Sequence, residues 1–160
     1  MQPRIWKPLF AGLALAVCAA AHTPALAQTA DETMQQVRTQ ARGDKRAFVA
    51  QQLRLDDAQA KAFWPLYDRF QKDLLAINRR GTVAMVGYVN VQDRLTDGAA
   101  EQFLRELAAV DAERSKLNQT YLKRFLKVLP GKQVARYLQL ENKIRVVEEY
   151  DLASQITLVK

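Results

Sequence analysis

From Phe63 onward the apolar residues Phe63, Tyr67, Phe70, Leu74, Ile77, Gly81, Ala84, Tyr88, Val91 and Leu95 follow one another at spacings of 4, 3, 4, 3. A 3.5-residue repeat is the signature of a helix packed along another helix, and no strand, with its period of two, can present such a stripe to one side. A second stripe, Phe103, Leu107, Val110, Arg114, Leu117, Tyr121, Phe125 and Val128, has nearly the same period and length. Between the two lies Leu95-Thr96-Asp97-Gly98, a turn in which Thr96 or Asp97 can cap the second helix and Glu101 favours its N-terminal dipole. The pattern predicts an all-α fold of about four helices in elongated antiparallel hairpins, with long helices 2 and 3.

Helix 2 starts at Asp56 or Asp57 and could run to Asp93, roughly 55 Å at 1.5 Å per residue. Asp56 is suited to accept from the free amides of the first turn, while Gln59 reaches back to the Asp56 amide, a capping box. Pro65 removes one backbone bond, so a kink is expected there, or a short helix ending near Trp64, and either curves the hairpin. Trp64 reads as a core or helix-crossing residue rather than a ligand stacker. The run 82–91 is rich in β-branched residues, with Gly81 before it and Gly87 within it weakening a helix, but with no second strand-like run to pair with it, the segment is expected to be helical or locally broken.

Helix 1 is expected over 34–53, with Met34, Val37, Ala41, Phe48, Val49 and Leu53 inward, after a polar flexible lead at 28–33. Helix 4 follows Leu129-Pro130-Gly131, with Pro130 near its first position and Val134, Tyr137, Leu140, Ile144 and Val147 inward. Beyond Tyr150, Ile156, Leu158 and Val159 form either a docked strap or a frayed end.

At the N-terminus, Arg4 and Lys7 precede an apolar run from Pro8 to Ala21 and a small-x-small pattern at Ala25-Leu26-Ala27. This reads as a secretory signal peptide over 1–27, its apolar run too short for a comfortable membrane span. Leu15-Ala16-Val17-Cys18 resembles a lipid-attachment box only loosely, because Val17 stands where a small residue is wanted. Cleavage after Ala27 takes 27 of the 160 residues and leaves 133, one domain over 34–160 behind its polar lead. With the leader go the only Cys and the only His, which excludes thiol nucleophiles, disulfides, Ser-His-Asp triads and histidine metal sites. Asp56 with Asp57, and Glu148 with Glu149 and Asp151, are the only carboxylate clusters, and adjacent helical positions do not face each other. No phosphate loop or nucleophile elbow is present, so no enzyme, cofactor or metal site is expected.

Loss of Arg4 and Lys7 leaves 22 basic residues against 17 acidic ones, a net +5. Arg38, Arg42, Lys45 and Arg46 share one face of helix 1, and nine basic residues between Arg114 and Arg145, among them Lys123, Arg124, Lys127 and Arg136, meet a single acid, Glu141. These eight named cations are the candidate partner-binding residues. Such a field steers acidic protein segments or touches an anionic membrane surface, whereas nucleic acid is not expected outside the cytoplasm.

The chain resembles the exported helical proteins with LTxxQ boxes, the Spy and CpxP group of periplasmic stress proteins. Leu55-Asp56-Asp57-Ala58-Gln59 stands where the first box would, with Asp56 as the capping residue, and Leu129-Pro130-Gly131-Lys132-Gln133 where the second would. Pro130 departs from the pattern, since it offers no side-chain oxygen and no amide for Gln133 to reach. The resemblance implies a periplasmic, curved helical cradle, often dimeric, that binds unfolded or envelope proteins without ATP or damps a sensor kinase. The metal sensing of some members needs histidines and is not implied for this chain.

Overall fold

The computed structural model describes residues 25–154 and 156–157. The expected signal segment up to residue 24, with Cys18, and the tail residues Leu158 and Val159 lie outside the described residues, as does the side chain of Ala41. Among the described residues there are four α-helices and no strand: α1 (Ala25–Leu53), α2 (Asp57–Val89), α3 (Asp97–Phe125) and α4 (Gly131–Ala153), with one turn of 3-10 helix, Gln92–Arg94, between α2 and α3.

Two of these helices differ from the sequence expectation. Residues 28–33, expected to be a flexible lead, are helical and belong to the start of α1. Of the two outcomes expected at Pro65, the helix end near Trp64 is absent, because α2 is continuous through the proline, and a departure from helical geometry falls in α1, at Asp44 (φ −135°, ψ 90°). The Asp44 carboxylate accepts from the Ala47 amide at 2.8 Å, so it recaps the chain as a new N-cap after Gly43. A proline costs one bond and can be carried by a long helix anchored on both sides, whereas a capping residue after glycine offers the backbone a competing arrangement.

The segment 82–91 is helical to Val89 and then turns. Thr96 caps α3, its hydroxyl accepting from the Ala99 amide at 3.3 Å. Arg54, just past α1, adopts the left-handed conformation (φ 47°) that closes a helix end, and its amide donates to the Ala50 carbonyl at 3.1 Å.

The helices pair as α2 with α3 and α1 with α4. Both pairs are antiparallel. In the first, the Tyr121 hydroxyl donates to Asp73 at 2.7 Å, Arg114 lies by Asn78 and Tyr88 stacks on Phe103 at 4.8 Å. In the second, Arg136 reaches Gln52, Lys45 reaches Glu141 and Arg38 reaches Asp151. Gly81 marks the close approach of α2 to α3, since a Cβ there would lie 3.3 Å from the Val110 side chain.

An aromatic layer joins the two pairs. Phe63, Tyr67 and Phe70 of α2, Tyr121 and Phe125 of α3 and Tyr137 of α4 are all buried, with ring centroids 4.9–6.3 Å apart in edge-on and tilted contacts. Val37, Phe48, Val49 and Leu53 bring α1 onto the same cluster, and α4 buries all five residues of its expected inner stripe. Burial pushes the Tyr67 and Tyr137 phenols well above their ordinary range, so both stay neutral, as an apolar layer requires. Each such ring contributes about 2–3 kcal/mol by burial and each well-set pair adds about 1 kcal/mol, whereas an exposed ion pair contributes at most about 1 kcal/mol. The rings therefore decide how the pairs join.

Of the two tail residues described, Ile156 is half-buried and the Thr157 carbonyl accepts from the Tyr88 hydroxyl at 3.4 Å, while the Thr157 hydroxyl donates to Gln92 at 3.0 Å. Gly87 is exposed in the last turns of α2, and a Cβ there would meet nothing within 4 Å. Gly87→Ala should therefore stabilise the fold by about 0.5 kcal/mol, read as a raised midpoint in chemical denaturation; a lowered midpoint would mean that 82–89 is not helical in solution.

Candidate partner-binding surface

The two box-like segments meet at one end of the molecule. At the first, the Gln59 amide donates to Asp56 Oδ1 at 2.8 Å and the Asp56 amide donates to Gln59 Oε1 at 3.2 Å, which completes the capping box of α2. The same Gln59 oxygen accepts from Gln133 Nε2 of the second box, also at 3.2 Å. Leu55 packs against the core and Leu129 is buried in it. Pro130 gives α4 no side-chain cap, and the start of that helix is closed by backbone, the Gln133 amide donating to the Pro130 carbonyl at 2.9 Å. Gln133 Oε1 is buried with no hydrogen-bond partner. Each segment reads in the sequence as a local helix start; that one glutamine ties the other is a product of the helices packing side by side.

The eight candidate cations fall into two groups. Those of α1 are engaged inside the molecule. Arg38 and Arg42 both bind Asp151 of α4, the former at 3.0 Å, and Lys45 donates to Glu141 at 2.8 Å and to Gln71 at 2.9 Å. Arg46 pairs with Asp68 and lies over the Trp64 ring at 4.4 Å, so Trp64 acts as a half-exposed platform on which α1 crosses α2. In the second group Lys123, Arg124, Lys127 and Arg136 are all exposed, and among the described residues none forms an ion pair; Arg124 lies over the Tyr121 ring at 4.7 Å and Arg136 donates to Gln52 at 3.3 Å.

Sequence reasoning missed a groove between α4 and the α2–α3 pair. It consists of two cavities, of about 450 and 340 Å³, that share Asn78, Arg114, Arg145 and Glu148 in their walls. Leu74, Leu138 and Ile144 line the first, and Met85, Leu107 and Val110 the second. Leu75 at the rim is 59% exposed. The only sequence signal for the groove was Leu75 itself, an aliphatic residue off the inward stripe.

The inner end of the groove is closed by a polar knot. Glu141, its side chain only 10% exposed, accepts from Lys45 and from Gln71 Nε2 at 2.9 Å, and Gln71 also reaches the Tyr137 hydroxyl at 3.3 Å. Arg114 lies between the two cavities, paired with Asp111 at 2.8 Å and Glu149 at 3.8 Å, and its Nε is buried without a partner. Desolvation pushes the Glu148 carboxyl above its ordinary range; Lys45 opposes this, and Glu141 and Glu149 add to it. The groove therefore offers aliphatic surface with a rim of both charges. Among the described residues no group of three or more His, Cys, Asp or Glu is placed to hold a metal ion, and no helix is long and apolar enough to cross a membrane.

Asp56→Ala should cost about 1 kcal/mol through the lost cap, measured by chemical denaturation; no change would mean that the capping box carries no stability. A raised carboxyl pKa means that the folded chain holds the Glu148 proton more tightly than the unfolded one, so this group favours folding at low pH. That contribution is lost as the pH climbs through the unfolded and then the folded value. Glu148→Gln should thus raise the thermal midpoint at pH 7, with the gain vanishing below the carboxylate range; an equal gain at every pH would assign it to another cause. No protein-family model, curated protein or solved structure matches this chain, so its function is read from the geometry.

Proposed function

We propose that this chain is a protein-binding protein of the periplasm that acts without ATP, as a chaperone or an envelope-stress adaptor. The observation that carries the reading is the groove of two joined cavities between α4 and the α2–α3 pair, with aliphatic walls and Leu75 exposed at its rim. Such a surface holds apolar side chains of a partner weakly, because aliphatic burial is undirected and the Arg114, Arg145 and Glu149 charges at the rim are engaged with one another. The export signal read at 1–27 and the resemblance to the Spy and CpxP group support the same conclusion. A second reading, a regulatory partner of one envelope protein such as a sensor kinase, is favoured by the rim itself, where Arg114 and Arg145 lie with Glu148 and Glu149 and both signs of charge would suit one register of one partner.

Client range separates the two. The purified chain should suppress aggregation of several unrelated unfolding proteins at near-stoichiometric ratios, and Leu75→Asp should weaken that suppression while leaving the helical circular dichroism unchanged. Inertness toward all clients would favour the single-partner reading, and full activity in Leu75→Asp would take the groove out of the mechanism.

A further inference from the structure

We infer that a second surface, the outer face of the α2–α3 pair beside the α3–α4 connection, docks on an anionic phospholipid membrane. Pro65 and Leu66 of α2 and Val128 line an open cleft of about 330 Å³ that is edged by Arg69, Arg124 and Lys127. On α3, Leu122 and Leu126 are 37% and 50% exposed. A 3.6-residue turn places Lys123 and Lys127 in a row between those leucines on one side and Arg124 with the cleft on the other.

The cations here outnumber the acids. Among the described residues none of Arg69, Lys123, Arg124 and Lys127 forms an ion pair, and of the nearby acids Asp68 is paired with Arg46, while Asp73 accepts from the Tyr121 hydroxyl and keeps its charge. The molecule thus neutralises the cations of α1 and leaves these free. Their field would attract any polyanion. The leucines narrow the choice: an acidic protein segment seated in the cleft would leave Leu122 and Leu126 uncovered beyond the lysine row. A bilayer interface covers the lysine row and the leucines together, its phosphates taking the Lys123 and Lys127 heads while Leu122 and Leu126 beside them enter the acyl boundary. This surface is separate from the α2–α3–α4 groove, so its failure leaves the protein-binding reading untouched.

The experiment uses the full chain and sedimentation with vesicles of phosphatidylglycerol mixed with phosphatidylcholine, and with vesicles of phosphatidylcholine alone. Binding should be confined to the anionic vesicles and should weaken steeply with added salt. A near-surface cation raises partitioning roughly fivefold, so Lys123→Gln combined with Lys127→Gln should lower it on the order of 20-fold. Arg79→Gln combined with Arg94→Gln, exposed cations outside this face, should leave it within about twofold. Equal binding to both vesicle types, or equal loss in both double variants, would overturn the inference. So would release by inorganic phosphate at chloride-matched ionic strength, which would indicate a free-anion site, or polyglutamate binding that is lost in Lys123→Gln/Lys127→Gln without any vesicle binding, which would assign the face to acidic proteins.

Discussion

The contact on which the rest of the structure depends is the edge-on packing of Phe63 and Phe125 against Tyr137, with ring centroids 5.2 and 4.9 Å from it. The α2–α3 and α1–α4 pairs are each antiparallel, and these rings fix the height of one pair against the other. Once Tyr137 is seated, Glu141 one turn later faces Gln71, and Lys45 of α1 can reach both. Gln133, one turn earlier, is brought to Gln59. A chain of polar contacts thus inherits its register from an apolar layer, the expected order of cause when burial of a ring outweighs any single exposed hydrogen bond.

Charge is distributed by the same packing. The cations of α1 lie at the seam with α4 and α2, where carboxylates await them, and the Lys45–Glu141 pair, 26% and 10% exposed at its side chains, is the most enclosed of these. Its worth is conditional: removal of either partner would leave a shielded charge, so it specifies the seam more than it strengthens it. The cations near the α3–α4 connection are exposed, and among the described residues they form no ion pair. A net charge of +7 for the whole chain therefore does not spread evenly, and its effective positive surface is smaller and more local than the composition suggests.

The groove arises from what the aromatic layer does not fill. Large rings hold α4 against α2 and α3 near Tyr137, but farther along the facing residues are Leu74, Asn78, Gly81 and Met85 on α2, which are too small or too flexible to close the gap to Ile144, Arg145 and Glu148 on α4. The Arg114–Glu149 salt bridge, at 3.8 Å, spans this opening from α3 to α4 without sealing it. An open groove beside a rigid layer can admit a side chain from outside without disturbing the contacts that hold the fold together.

The sequence by itself determined the helices, their inner faces and the antiparallel pairing of α2 with α3, because an apolar period and capping residues such as Asp56 and Thr96 act over one or two turns of the same chain. It pointed to a kink or a helix end at Pro65 and gave no sign of the departure at Asp44, since whether a proline ends a helix depends on the packing around it. Only the tertiary structure decided that α1 pairs with α4, that Gln59 meets Gln133 and that Arg38 and Arg42 share Asp151. These residues lie 74 to 113 positions apart, and nothing local says which cation will face which carboxylate. That choice was made by register, and register was set by rings whose burial could be foreseen one helix at a time but whose mutual fit could not.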